Sequence, residues 1–454
     1  MDHSYWLAAI PPFVLQHIPI AVFVFCFGAC VGSFLNVVIY RLPAGQSVIS
    51  PPSRCMTCGA RLRFFRENLP ILGWIMVRGR CRYCGVRISP QYMLIELMMA
   101  LIFLGLYVAL YMFGPGDGWL GNIGGGWWSY NGPLVTWPAF VAYAFMIAGL
   151  VAMTVIDART FTIPMPIPLF VTYTGFIAFT LQAILPLRLT TQTWVMPGVN
   201  WTGAWMTLGG TTGLVISNIV LRTGKLKMSF ADYNDYVKEG EVLADYPHAR
   251  REMLVEFKFL LPIIVGLSLG YATKFMSLHQ AGAVPPRFLQ AVCGTFAGYL
   301  VGGGIMWAIR WIGTIAFGRE AMGMGDVHLL AAVGAVVGWF EPILIFFAAP
   351  FSGILWALIS MGASAIFKKR WRELPYGPHL AIATVAIILL RPGINSYWPK
   401  VFPGVPHPAP GLVAVPSALQ ITPRPVPTPT GGHSQPAATR PATRPSDSSE
   451  KSHH

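Results

Sequence analysis

Apolar residues run through this chain in blocks of about twenty rather than in strict alternation. The blocks lie near 18–40, 92–113, 134–156, 166–187, 203–221, 259–279, 288–312, 327–341, 343–367 and 377–392. A helix of about 20 apolar residues crosses the roughly 30 Å of bilayer hydrocarbon. The pattern therefore predicts an all-α polytopic membrane protein with about 8–10 transmembrane helices. The eighth block is short and glycine-rich, which predicts a tilted, broken or partly buried helix. Gly298 and Gly302, and then Gly334 and Gly338, are spaced four apart, a spacing that lets helices approach closely in lipid.

Composition agrees: 54% of residues are hydrophobic and 11% charged. The net charge of +14 would suggest nucleic acid or an anionic surface if it sat on one soluble face. Instead the arginines gather between blocks. Arg54, Arg61, Arg63, Arg66, Arg78, Arg80, Arg82 and Arg87 follow the first block, and KKRWR (Lys368–Arg372) follows the ninth. The loop GPGDGWLGNIGGGWWSYNG (Gly114–Gly132) has no Lys or Arg. This is the positive-inside pattern. It places segments 41–91, 222–258, the stretch before Asp326 and 368–376 in the cytosol and accounts for most of the charge without a nucleic-acid partner. MDHSYWLAAIPPF lacks the basic start of a signal peptide, so the first span is expected to stay uncleaved, with its N-terminus outside.

The first cytosolic segment carries two Cys-x-x-Cys pairs, Cys55 with Cys58 and Cys81 with Cys84, each followed by a glycine. Two thiolates three apart grip one edge of a tetrahedral ion, and a second pair completes the site. The expectation is a small four-Cys domain holding structural zinc, with four free or redox thiols as the alternative. Cys26, Cys30 and Cys293 fall in apolar blocks and read as packing residues.

Eighteen acidic residues remain to be sorted. Asp232, Asp235, Glu239, Glu241, Asp245, Glu252 and Glu256 read as solvated residues of a soluble loop, and Glu320 as a loop residue. Glu341 is expected at the outer interface. Glu96, Asp157 and Asp326 stand at the cytosolic ends of spans, where an ionisable group is a functional candidate. Two aspartates in contact share a proton, so one can activate water while the other polarises a carbonyl. Gly323 and Gly325 leave room for a substrate backbone beside Asp326. A pair of packed acids without chemistry fits the same positions.

GSFLNVVIYRLP (Gly32–Pro43), the four-Cys box and RISPQYMLIEL (Arg87–Leu97) are followed by IDARTFTIP, GMGDVHLLAAVGAVVGW and LPYGPHLAIA (Leu374–Ala383). In this order they resemble the bacterial type IV prepilin peptidases, or leader peptidase/N-methyltransferases, of the GxGD aspartyl protease group. The resemblance implies that Asp157 and Asp326 are catalytic and that the substrates are prepilins or pseudopilins of type IV pili or type II secretion. It implies cleavage of a short basic leader on the cytosolic side of the bacterial inner membrane, after a glycine and before the apolar helix. It also implies N-methylation of the new N-terminus with S-adenosylmethionine, tied to the Cys domain, in contact with the pilus or secretion machinery and with lipid. Glu96 then orients that domain, helps bind the methyl donor, or pairs with a nearby arginine.

The chain departs from that family in four places. His328 stands where a lysine is usual, Met165 where Asn or Asp is frequent, and Ala100 where Gly is frequent. The stretch between the aspartates is also long, and residues 190–285 read as an inserted span pair around loop 222–258. The expected organisation is a first span in 1–40, the four-Cys domain in 41–91, spans carrying Asp157 in 92–189, the insert in 190–285, spans carrying GxGD in 286–392, and a Pro-rich disordered tail in 393–454. Two other readings stay open: a proton-coupled transporter whose membrane acids relay protons, and a pilus or secretion assembly factor with altered catalysis.

Overall fold

The computed structural model describes residues 12–63, 66–113, 119, 123–124, 126–185, 198–230, 248–276, 285–367 and 375–403. KKRWR, residues 231–247 of loop 222–258 and the Pro-rich tail from 404 onward lie outside the described residues. Among them are Asp232, Asp235, Glu239, Glu241 and Asp245. The chain divides into two compact units, and every described residue belongs to the first, Met1–Val413.

The long helices follow the apolar blocks. In chain order they are α1 (Pro12–Arg41), α3 (Gln91–Tyr107), α5 (Pro133–Thr160), α6 (Pro166–Ile184), α7 (Trp201–Arg222), α8 (Ala249–Ala272), α9 (Arg287–Phe317), α10 (Met324–Val337), α11 (Glu341–Phe367) and α12 (Tyr376–Val401). Two short helices, α2 (Leu72–Met76) and α4 (Gly126–Asn131), lie in the connections. Helix α3 ends in a looser π-type turn over Val108–Met112. Among the described residues, nine helices are long and apolar enough to span a membrane, and α10 is shorter. The protein is thus a multi-pass α-helical membrane protein.

Two boundaries differ from those read in the sequence. Helix α8 begins at Ala249, ten residues before the expected span, because its first turns (ARREMLVEFK) are charged and lack the apolar signal. Helix α12 continues to Val401 through Pro392 and Pro399, so the expected start of the tail at 393 falls inside a helix.

The short helix α10 is the centre of the bundle. It packs against α5, α6, α9, α11 and α12. Val327 and every residue from Leu329 to Val337 are buried. The approach of α9 is set by glycine: a methyl group built at Gly298 would run into the carbonyl of Gly334, and one at Gly302 into that of Leu330. In hydrocarbon, where lipid is as apolar as the side chains, such close backbone contact is a main source of helix association. The same device joins α7 to α8, where Gly209 faces Gly266 and Gly213 faces the carbonyl of Pro262.

An ion pair closes the bundle at the end away from the four-Cys domain. Arg391 of α12 meets Glu341 of α11 at 2.9 Å, and Tyr143 of α5 hydrogen-bonds Arg391. Glu341 is therefore buried and paired there.

Gly298→Ala is expected to destabilise the bundle by about 2 kcal/mol by overpacking, read as a lower thermal midpoint in detergent. Gly304→Ala, where a methyl group would meet nothing within 4 Å, should leave the midpoint unchanged.

Candidate active site and metal centre

The two candidate aspartates reach one end of the bundle from opposite chain directions. Asp157 lies in the last turn of α5, and Asp326 in the first turn of α10. Helix α5 stops just beyond Asp157 because Phe161 takes a left-handed conformation (φ 56°), with its N–H donating to the Asp157 carbonyl at 2.9 Å. Such a conformation is uncommon for an aromatic residue and is held by its surroundings.

Asp157 is 4% exposed, whereas Asp326 is half-buried and more open. They are near enough for the charge on Asp157 to bear on Asp326. The backbone N–H of Gly377, at the start of α12, donates toward the Asp157 carboxylate. A Cβ at Gly377 would lie 2.5 Å from Asp157 Oδ2 and 3.3 Å from Ile163 Cδ1. Gly325 packs against the same Ile163, 2.9 Å from where its Cβ would be. The Asp326 charge also reaches Tyr376. Three helix ends and the Ile163 turn thus surround the pair. Gly323 leaves the face beside Asp326 open: its nearest neighbour, Asp326 Oδ2, would be 3.8 Å from a Cβ. His328 is half-buried on α10 and makes no hydrogen bond to either aspartate among the described residues.

The sequence reading did not pick out Ile163, Tyr376 or Gly377. The signal for the last two was Tyr-Gly-Pro at the head of the final apolar block, where a glycine admits another helix's carboxylate. Two acids set aside as loop residues also proved structural. Glu256 is buried within α8 and paired with Arg310, and Glu320 pairs with the same arginine.

The four cysteines converge as their spacing predicts. Their sulfurs all lie within 4.8 Å of one another, with Cys55 to Cys84 at 3.8 Å and Cys58 to Cys81 at 4.0 Å. Four thiolates about 2.3 Å from a tetrahedral ion would stand about 3.8 Å apart, so the donor set fits a metal of that kind. The two halves repeat one turn. Gly59 and Gly85, at φ 70° and 69°, return N–H groups to the carbonyls of Cys55 and Cys81. Antiparallel bridges, Arg54 with Arg61 and Arg80 with Arg87, flank each turn.

Backbone N–H groups of Cys58 and Thr57 draw the Cys55 thiol down to about 6. Cys84 is pushed up to about 12. The Val86 N–H pulls it down, but desolvation and the sulfurs of Cys81, Cys58 and Cys55 outweigh that. Four thiols this close do not ionise independently, and a dication is what would let all four ionise together.

Glu96 mounts this domain on the bundle. Its Oε2 accepts the Ile71 N–H at 2.7 Å, and the Ser33 hydroxyl also bonds to it. Gly32 of α1 allows the approach, since a Cβ there would be 2.7 Å from Glu96 Cα. The arginine ion pair considered for Glu96 is not formed among the described residues. Nearby, Asn36 donates to the Tyr92 carbonyl at 3.0 Å, Tyr40 stacks on Tyr92, and Arg159 lies over the Tyr40 ring.

Comparison with known proteins finds two matched segments. Residues 26–110 match the bacterial peptidase A24 N-terminal domain, and residues 250–358 match the type IV leader peptidase family. Both matched segments are thus similar to parts of type IV leader peptidases. The second match includes Asp326, while Asp157 lies between the two matched segments.

Among its relatives, a prepilin leader peptidase/N-methyltransferase of Myxococcus xanthus is 55% identical over 83 residues, covering 18% of this chain and 24% of that protein. A type 4 prepilin-like proteins leader peptide-processing enzyme of Escherichia coli O78:H11 is 25% identical over 382 residues, covering 80% and 91%. A prepilin leader peptidase/N-methyltransferase of Aeromonas hydrophila is 26% identical over 404 residues, covering 83% and 92%. No solved structure gives a significant match.

Purified without chelator, the protein is expected to carry one divalent metal ion per chain by elemental analysis. Cys81→Ser should lower that content severalfold.

Proposed function

We propose that this chain is a membrane-embedded aspartyl endopeptidase that removes the leader of type IV prepilins or pseudopilins. The observation that carries the reading is the meeting of Asp157 and Asp326 at one end of the bundle, the end that bears the four-Cys domain. Two carboxylates whose charges bear on each other would hold one proton between them. The ionised one takes a proton from water as the water oxygen attacks the scissile carbonyl carbon. The protonated one donates a hydrogen bond to the carbonyl oxygen, which gathers charge. The C–N bond then breaks as a proton passes to the leaving amine, so one water is added across the peptide bond. Gly323 supplies space for the substrate backbone, whereas the space expected at Gly325 is taken by Ile163; His328 borders the site as a residue able to change charge.

The Arg-rich four-Cys segment supports placing this end in the cytosol and the protein in the bacterial inner membrane. The prepilin's basic leader would lie on that side, with its apolar helix entering among the spans. Zinc suits the four-thiolate set. A closed site of that kind leaves no open position for catalysis, so the metal would hold the domain's fold.

The relatives named N-methyltransferases support a second activity on the new N-terminus, for which S-adenosylmethionine supplies the methyl group. Glu96 does not fit as a ligand of that donor, because its carboxylate is taken up by the Ile71 N–H and Ser33. Its role is to orient the domain. The pilus or type II secretion machinery and membrane lipid are the further partners of this reading. A proton-relaying transporter is disfavoured because the two acids gather at one end rather than along a path through the bundle.

Purified protein with a prepilin from the same cell tests the reading. Asp157→Asn and Asp326→Asn should each lower cleavage by about a thousandfold or more, as expected for groups that act as a unit. Gly377→Ala should lower it by about tenfold by displacing the Asp157 carboxylate. Cleavage that persists in both aspartate variants sinks the assignment, and no cleavage by the wild type favours the transporter or an inactive assembly factor.

A further inference from the structure

Arg310 on α9 is the most heavily bonded charge among the described residues, and the peptidase reading gives it no task. It is 2% exposed, as is its partner Glu256 on α8. Its Nε and one terminal nitrogen both reach Glu256 Oε1 at 3.1 Å. The other terminal nitrogen bonds the Glu320 carboxylate and the Met322 carbonyl. Glu256 is itself fully occupied: Trp307 Nε1 donates to its Oε2 at 2.6 Å and Ser229 Oγ to its Oε1 at 3.1 Å. An ionisable group within a span is costly unless it is paired and has work to do.

The far side of this network is the short connection between α9 and α10. Met322 immediately precedes Gly323 and stands four residues before Asp326. The connection has further anchors. The Ala321 N–H donates to Thr314 Oγ1 at 3.1 Å, and α8 contributes Arg250, whose Nε donates to the Ile315 carbonyl at 2.9 Å. Trp311 Nε1 donates to the Met253 carbonyl of α8 at 3.0 Å. With glycine at both 323 and 325, this backbone has little stiffness of its own. Its path decides where Asp326 meets Asp157.

We propose that Arg310 is a positioning residue for Asp326, and that α8 holds it in place through Glu256. The guanidinium acts as a brace, with one edge locked to α8 and the other gripping the carbonyl ahead of the Gly-Met-Gly-Asp turn. Only a planar fork reaches both sides at once, so lysine keeps the charge but not the brace. Helix α8 thereby supplies the fixed wall against which the turn is set. The proposal rests on the peptidase reading for its kinetic consequence but not for its structural one.

The test compares full-length wild type, Arg310→Lys, Glu256→Gln and the double variant, each confirmed as folded by gel filtration and thermal midpoint. Hydrogen exchange at the amides of 318–325 should be at least about tenfold faster in Arg310→Lys and in Glu256→Gln than in wild type, as local opening becomes easier. Unchanged exchange in both folded variants overturns the brace, whatever the protein cleaves. With prepilin as substrate, kcat should fall by about tenfold or more while KM and metal content stay within about twofold, as misplacement of a reacting group predicts. The double variant should be no worse than Arg310→Lys alone, because the two residues act through each other. If Arg310→Lys does not fold, Glu256→Gln carries both readouts alone. Wild-type kcat in a folded variant overturns the proposal, whereas a wild type that cleaves no prepilin counts against the peptidase reading and leaves the exchange result to decide the brace.

Discussion

Hydrocarbon does not solvate charge, and this constraint orders the whole molecule. A carboxylate on a long apolar helix is tolerable at the helix end, where water or another polar group reaches it, or inside when fully paired. Asp157 and Asp326 take the first solution. Glu256 with Arg310, and Glu341 with Arg391, take the second. The helix ends that meet at the aspartates are held there by contacts deeper in the bundle, above all the glycine-to-glycine approach of α9 and α10.

The four-Cys domain obeys a related rule. A segment of about fifty residues is too small to bury a stable core of its own, and chains of this size are commonly stapled by metals or disulfides. Two matching turns bring four sulfurs together, and one half-buried carboxylate, Glu96, fixes the assembly to the membrane part. Glu96 sits on α3 against Gly32 of α1, so the mounting point is the contact between the two helices that flank the domain in sequence. The domain and the aspartates thus lie at the same end of the bundle.

The spans, the cysteine cluster and the two aspartates were legible in the sequence because each stands against a quiet background. Apolar blocks are long, Cys-x-x-Cys pairs are rare, and few acids lie at span ends. Glu256 was not legible, because the first turns of α8 are as charged as a solvated loop. Its burial depends on Arg310, Trp307 and Ser229, which come from other parts of the chain. Glu320 was missed for the same reason, since its partner lies two turns back on α9. Tyr376 and Gly377 stand in the Tyr-Gly-Pro stretch at the head of the last span, but that stretch does not say which residue the helix start faces. Pairwise chemistry between distant segments has no period, so hydropathy and spacing do not reveal it.

The short helix α10 has one more consequence. It is enclosed by five other helices, and its apolar residues beyond His328 are all buried, so it has almost no boundary with lipid. A spanning helix in direct contact with the bilayer responds to membrane thickness by tilting or shifting. Helix α10 is screened from that force. The depth at which Asp326 sits relative to the membrane surface is therefore fixed by protein neighbours, and a change in lipid chain length reaches it only through the surrounding ring of helices.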